Sequence, residues 1–414
     1  MTSSTDNDVR TFDGTRVRYL VTRAALRAAT TMTNPTLSPR QRLAALMECH
    51  GTLLAARGPG DPLSFGDFRR ALKNDLARLL PAGIDSPDLE GLPVVDGEDR
   101  VAEDAFDLAF EQRVLLKALD KPGNSALLIN DQELQDEIDQ ETAFEILYKG
   151  GEQAGYVAGR SDLIRYPAGP VSDLCELRLP PRVVDLYQDI PYNSVYQVHW
   201  FPCPACRWPM RVAIRRSAGS RVGTARCWHG AHAEMGASYL FPLPADGGVP
   251  ELVPEASPRR PGLRESVLFP SISEVPRALP AAGYKAVARG IWRYTTIPGL
   301  PELALYDRLS ERGLTVELWP ALDAYDLRVE AGPRKGRKET FKVDVKDYTS
   351  AMTLGKLIDA QEGDRGGAGW LVVPDYRAGQ LPLLSGVCAK WDMKVATASE
   401  FGAMVCAKAG VSWA

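Results

Sequence analysis

Asp344 and Lys346 stand two residues apart in the apolar run Phe341-Lys342-Val343-Asp344-Val345-Lys346, so on a strand both side chains project from one face. A carboxylate can ligate a divalent cation, while a neighbouring lysine orients or deprotonates the attacking water and balances charge. The flanking Val343 and Val345 make the run apolar enough for a central strand, where charge without a metal partner is costly. Upstream, Val316-Glu317-Leu318-Trp319-Pro320 and Tyr325-Asp326-Leu327-Arg328-Val329 read as strands and supply a second acid, Asp326, or Asp323 if the register differs. Glu302 opens a helix expected near 301–312 and is the natural third acid. Magnesium takes a few carboxylates, keeps several waters and leaves room for phosphate oxygens. Glu302, Asp326 and Asp344 meeting at one sheet edge, with the Val345 carbonyl beside them, would hold Mg2+ or Mn2+ for phosphodiester hydrolysis.

A second constellation lies at Cys203-Pro204-Ala205-Cys206, where a tight turn brings two thiolates to one tetrahedral ion. Cys227 follows about 20 residues on, and either His232 or His229 completes a zinc site. A redox pair fits less well, because such pairs precede a helix, whereas Pro209 and the strand-like Val212 to Ile214 follow here. Arg207, Arg211, Arg215, Arg216, Arg221 and Arg226 fall between the two halves with no acid among them. With Trp200, Trp208 and Trp228 they form a patch able to grip phosphates and stack on bases, and Lys356 offers one more phosphate contact. The odd total of seven cysteines excludes a disulfide framework; Cys49, Cys175, Cys388 and Cys406 read as buried thiols.

These groups need a scaffold of more than one domain. The chain has 414 residues, 45% hydrophobic and 25% charged, and a net charge of −4, which excludes a uniformly basic nucleic-acid coat. The polar first ten residues and the lack of any long apolar run predict neither export nor membrane spanning, hence a cytoplasmic protein. Residues 1–185 read as mostly helical. Ser38-Pro39-Arg40-Gln41 has the form of a capping box, Ser64 starts a second helix carrying Phe68 through Leu80, and Asp131 to Glu145 is acidic. Residues 186–243 form a small zinc-ribbon-like β module, and 244–283 a proline-rich linker. In 284–414 the pattern is a helix near Tyr284 to Trp292, another near 301–312, two strands, a helix near Thr353 to Gln361, and strands at Trp370 to Val373 and Lys394 to Ala398. The expected class is multidomain α/β.

The order helix, acid on the second strand, Asp-x-Lys on the third, helix, strand resembles the restriction-endonuclease-like superfamily named PD-(D/E)xK. In that resemblance Glu302, Asp326, Asp344 and Lys346 match the motif positions, and the implied domain is a mixed-sheet α/β/α nuclease. More narrowly, Ile291-Trp292-Arg293-Tyr294, Glu302, Glu317-Leu318-Trp319-Pro320, Asp323, Tyr325-Asp326-Leu327 and Asp344-Val345-Lys346-Asp347 are similar to the restriction-endonuclease-like proteins that accompany PIWI/RE proteins, the Argonaute-like branch in bacteria. The resemblance implies a magnesium-dependent DNA endonuclease in defence against phage or plasmid DNA, beside a PIWI-type protein and a helicase. Two rivals stand against it: a non-catalytic nucleic-acid-binding or scaffold subunit, and a zinc-ribbon regulator that would leave the C-terminal acids unexplained.

Overall fold

The computed structural model describes residues 4–34, 36–84, 86–96, 100–119, 131–149, 152–177, 179–180, 185–217, 220–243, 248–255, 274–333 and 336–413. The chain forms two compact units. One comprises Met1–Ala126, Tyr348–Gly363 and Pro382–Trp391; the other comprises Leu127–Asp347, Asp364–Leu381 and Asp392–Ala414.

The first unit is helical: α1 (Ser4–Thr33), α2 (Pro39–Arg57), α3 (Phe65–Asn74) and α4 (Glu103–Leu119), with the later helix Ala351–Ala360 and most of Leu381–Lys390. The expected capping box forms at α2. The Ser38 N–H donates to Gln41 Oε1 at 3.0 Å, and the Ser38 hydroxyl accepts from the Gln41 backbone. Helix α3 buries Phe68, Ala71 and Leu72 and turns Arg69, Arg70 and Lys73 to solvent. It stops at Asn74 rather than running to Leu80. Asp75 goes extended (φ −163°) and its carboxylate caps the 3₁₀ turn Leu76–Leu79 through the Ala77 N–H at 3.1 Å. Glu111 of α4 accepts from the backbone of Thr349 (2.5 Å) and Ser350 (3.1 Å), placing a carboxylate at the start of Ala351–Ala360.

The second unit begins with α5 (Asp131–Lys149), the expected acidic helix, and α6 (Gln153–Arg165). The cysteine module supplies an antiparallel ribbon of β1 (Arg211–Ser217), β2 (Ser220–Arg226) and β3 (Ser238–Pro242), extended by Val253–Pro254. Gly223 of β2 sits under Phe241; a Cβ there would fall 2.2 Å from the ring. Tyr284–Val287 is a strand, not the start of a helix. It pairs antiparallel with Ala168–Pro170 on one side and Tyr187–Asp189 on the other, burying Ala286 and Val287, so long-range pairing overrides the local helical pattern. Of the expected linker, 244–247 and 256–273 lie outside the described residues.

The main sheet follows. Helix α7 (Ile297–Glu311) precedes β4 (Thr315–Leu318), β5 (Leu327–Ala331), β6 (Glu339–Val345), β7 (Trp370–Val373) and β8 (Lys394–Thr397), and α8 (Ala398–Ala409) closes it. The strands lie in sequence order. β4, β5 and β6 are antiparallel neighbours, whereas β6, β7 and β8 are parallel. Leu327, Val329, Phe341, Val343 and Val345 join Leu303, Leu305, Phe401 and Val405 of α7 and α8 in one core. That core continues into the cysteine module through Trp208, which stacks on Trp292 at 4.5 Å.

Candidate active site

Antiparallel pairing of β5 with β6, Leu327 opposite Val343, brings Asp326 and Asp344 to one end of the sheet. Asp344 pairs across β6 with Leu371 of β7, and Lys346 follows β6 with its N–H on the Val372 carbonyl at 2.9 Å. Asp326 precedes β5; its N–H reaches the Val343 carbonyl at 3.1 Å and its Oδ2 accepts from the Val345 N–H at 2.5 Å. The Lys346 ammonium lies between the two carboxylates, 3.1 Å from Asp326 Oδ2 and 2.8 Å from Asp344 Oδ1. Both acids are 5% exposed. Arg365, from the glycine-rich segment before β7, places Nε and Nη2 each 2.7 Å from Asp344 Oδ2.

Glu302, 2% exposed on α7, faces other partners. Its Oε2 accepts from the Trp319 indole at 2.5 Å and lies 3.1 Å from Arg160 Nη2. Arg160 also pairs with Asp323 through Nη1 and stacks its guanidinium 4.4 Å over Trp319. Asp323 is therefore bound to Arg160 rather than set beside Lys346. It ends a left-handed turn, with φ +45° at Trp319, +53° at Ala321, +56° at Leu322 and +77° at Asp323. Each such residue is disfavoured by about 1–2 kcal/mol for an L-amino acid, so the turn needs outside support. One face of α6 provides it. Gln153 donates to the Trp319 carbonyl at 2.8 Å and accepts from the Leu322 N–H at 2.9 Å, and the Tyr156 hydroxyl donates to Asp323 at 3.1 Å.

Charge in this pocket is mutually adjusted. Burial, then the nearby Glu302 charge, pushes the Asp326 carboxyl well above its usual range, and burial raises Glu302. Asp344 is held low: burial would raise it, but Lys346 and Arg365 outweigh that. Burial would likewise lower Lys346, yet Asp326 and Asp344 hold it charged. Asp347, the residue after Lys346, turns instead to Arg377 at 2.9 Å and to the Tyr376 hydroxyl.

The cysteine cluster closes on His232. Cys203, Cys206, Cys227 and His232 are all buried, and their ligand atoms lie within 4.8 Å of one another. Cys206 and Cys227 sulfurs are 3.8 Å apart, and His232 Nδ1 lies 3.6 Å from Cys227 and 4.0 Å from Cys203. Tetrahedral zinc with bonds of about 2.3 Å to sulfur implies edges of about 3.8 Å, so this donor set could hold the ion. The Trp292 indole donates to Cys206 at 3.4 Å, an outer hydrogen bond that steadies a thiolate. His229 stacks beside His232 at 4.5 Å, and burial followed by that neighbour pushes it down to about 3. Among the described residues Glu302, Asp326 and Asp344 do not gather this tightly, because Arg160 and Lys346 stand among them.

Most arginines of the expected basic patch lie on β1 and β2, where Arg211 stands opposite Arg226 and Arg216 opposite Arg221. Arg207 donates to the Arg165 carbonyl at 3.0 Å, Arg211 is 7% exposed beneath Trp228, and Arg215 pairs with Glu255 at 2.7 Å. Lys356 lies on Ala351–Ala360 in the helical unit. Trp200 and Trp208 are core residues, 1% and 2% exposed, and present no face for a base. Sequence reasoning missed Gln153, Tyr156 and Arg160, which lie 142 or more residues from their partners, and Arg365, whose one signal was a charge in a glycine-rich loop.

The C-terminal segment is a mixed five-stranded sheet with Asp326 just before its second strand and Asp344-Val345-Lys346 at the end of its third. Residues 299–413 match the family model described as REase associating with pPIWI_RE, so this segment is similar to the restriction-endonuclease-like proteins associated with PIWI/RE. No curated protein and no solved structure matches the chain. No described helix is long and apolar enough to cross a membrane.

Proposed function

We propose that the protein is a magnesium-dependent DNA endonuclease acting in defence beside a PIWI-type protein and a helicase. The observation that carries this reading is the Lys346 ammonium set 3.1 Å and 2.8 Å from two buried carboxylates, Asp326 and Asp344. Two acids sharing one cation at a sheet edge suit a divalent ion that keeps open positions for water and phosphate. Asp326 and Asp344 would hold Mg2+ or Mn2+, and the ion would polarise the phosphodiester. Lys346 orients the attacking water and takes part in its deprotonation. Glu302 is the third acid of the set, paired here with Arg160 and accepting a hydrogen bond from the Trp319 indole. A zinc ion held by the cysteine cluster would stiffen the module that carries Arg207, Arg215 and Arg216, which contribute contacts to nucleic-acid phosphates, and Lys356 on the helical unit is a separate phosphate contact.

The rival reading, a non-catalytic scaffold, draws on the fact that both Asp344 oxygens already have cationic partners. The two separate on supercoiled, linear, single-stranded and RNA-paired DNA incubated with magnesium or chelator. Magnesium-dependent cutting by wild type, lost in Lys346→Ala, supports the enzyme; its absence on every substrate, alone and with partners, supports the scaffold.

A further inference from the structure

Lys342 stands two residues before Asp344 on β6. Phe341, Val343 and Val345 point into the core, so Lys342 and Asp344 share the opposite face, Lys342 exposed and Asp344 buried. Two residues of strand span about 7 Å, which is comparable to the step from one phosphate to the next along a nucleic-acid backbone. Across the sheet Lys342 lies directly opposite Arg328 of β5. Like charges in such a pair are destabilising, and only one of the two is compensated. Arg328 turns to Glu317 at 3.4 Å and Glu330 at 3.1 Å, whereas the Lys342 ammonium meets no carboxylate among the described residues. That is not the rule on this surface: the exposed Lys338 and Lys408 pair with Glu330 and Glu339.

The ammonium is nonetheless held in place. Its Nζ lies 5.3 Å from the ring centroid of Tyr325, the residue before Asp326. The glycine-rich loop 364–369 closes another side. Gly366, at φ +64°, packs on the turn that leads to Asp326, where a Cβ would fall 1.7 Å from the Ala324 carbonyl oxygen. Gly367, at φ +82°, brings its backbone alongside the lysine, where a Cβ would lie 3.5 Å from Lys342 Nζ. The Gly369 N–H ties the end of the loop to the Lys342 carbonyl at 3.2 Å. An aromatic face attracts a cation without supplying an oxygen acceptor, so the lysine is oriented while its donors remain for an anion arriving from solvent. Beside two buried carboxylates that repel DNA, this is a fixed positive charge on the approach to Asp344.

Resting on the nuclease reading above, we propose that Lys342 is a substrate-binding residue that grips the DNA phosphate next to the scissile one and sets the strand along β6. The test measures binding of a short duplex in Ca2+, an oxygen-seeking probe of the metal site, as salt is varied. Wild type is compared with Lys342→Gln, Lys342→Arg and Lys408→Gln. At about 0.1 M salt Lys342→Gln is expected to bind about three- to tenfold more weakly, and its slope of log affinity against log salt to be shallower by about one. Lys342→Arg keeps the charge and binds within about twofold of wild type. Lys408→Gln removes the same charge beside Glu339 on α8 and binds as wild type does. Mn2+ affinity without DNA, read by electron paramagnetic resonance, is unchanged in Lys342→Gln. Wild-type affinity and salt slope in Lys342→Gln would overturn the proposal and make the lysine a brace for Tyr325. An equal loss in Lys408→Gln would reduce the effect to net charge, and an equal loss in Lys342→Arg would assign it to packing; either overturns the proposal, as does altered Mn2+ affinity or a wild type that binds no duplex. Cleavage by wild type in Mg2+ is scored separately, so a protein that binds through Lys342 but never cuts counts against the nuclease reading alone.

Discussion

Arg160 pairs with two carboxylates at once, the buried Glu302 and the partly buried Asp323, and its own side chain is 12% exposed. Removing it leaves both acids without a counter-charge in a site that water reaches poorly, so Arg160→Ala should cost about 3–5 kcal/mol in urea unfolding. Arg160→Lys should recover part of that, since one ammonium cannot fork to both acids or cover Trp319 as the guanidinium does. An unchanged unfolding midpoint in Arg160→Ala would show that the pairs are unimportant. The strand acids and Lys346 were legible because their chemistry is local: alternation alone puts Asp344 and Lys346 on one face, and strand order brings Asp326 near. Arg160 was not legible, because it stands 142 positions from Glu302 with the whole cysteine module between them. His232 was an open choice against His229 until the fold turned its Nδ1 toward Cys227 and Cys203.

Among the elements, the left-handed turn from Trp319 to Asp323 is the one most dependent on others. It contains no glycine or asparagine to ease positive φ, so nothing in its composition announces it. Gln153 closes it from α6, and Gln153→Ala removes hydrogen bonds to two of its backbone groups. That variant should lose about 1–3 kcal/mol of stability, read by thermal unfolding, with a fall in any cleavage rate that exceeds the loss of folded protein. Gly366→Ala tests the facing loop. Its methyl group would enter the Ala324 carbonyl and adopt φ +64°, so a lower melting temperature is expected, and a neutral outcome would show that the loop does not pack as described. Helix starts at Ser38 and Ser64 were readable because caps are written in a few adjacent residues. The strand Tyr284–Val287 was not, because its two partners lie about 100 residues away.

At the scale of the whole molecule, the C-terminal sheet and the cysteine module share one hydrophobic core, joined through Trp208 and Trp292. Purified protein should carry about one zinc per chain, and stripping it or changing Cys203→Ser should lower the melting temperature, measured by metal analysis and calorimetry. Full stability without zinc would leave the four ligands without a structural role. The division of the chain into a helical unit that takes back 348–363 and 382–391 could not be read from composition, which follows the chain and not its return. Resemblance to restriction-endonuclease-like proteins covers 299–413, yet Arg160 and Gln153 reach the same site from outside that segment. The most direct measurement is therefore made on the full chain: cutting of supercoiled DNA with Mg2+ and with chelator, for wild type, Asp344→Asn and Lys346→Ala. Magnesium-dependent nicking or linearisation that falls about 100-fold or more in both variants is predicted. Wild-type protein that cuts no DNA, or variants that cut as well as wild type, would contradict it.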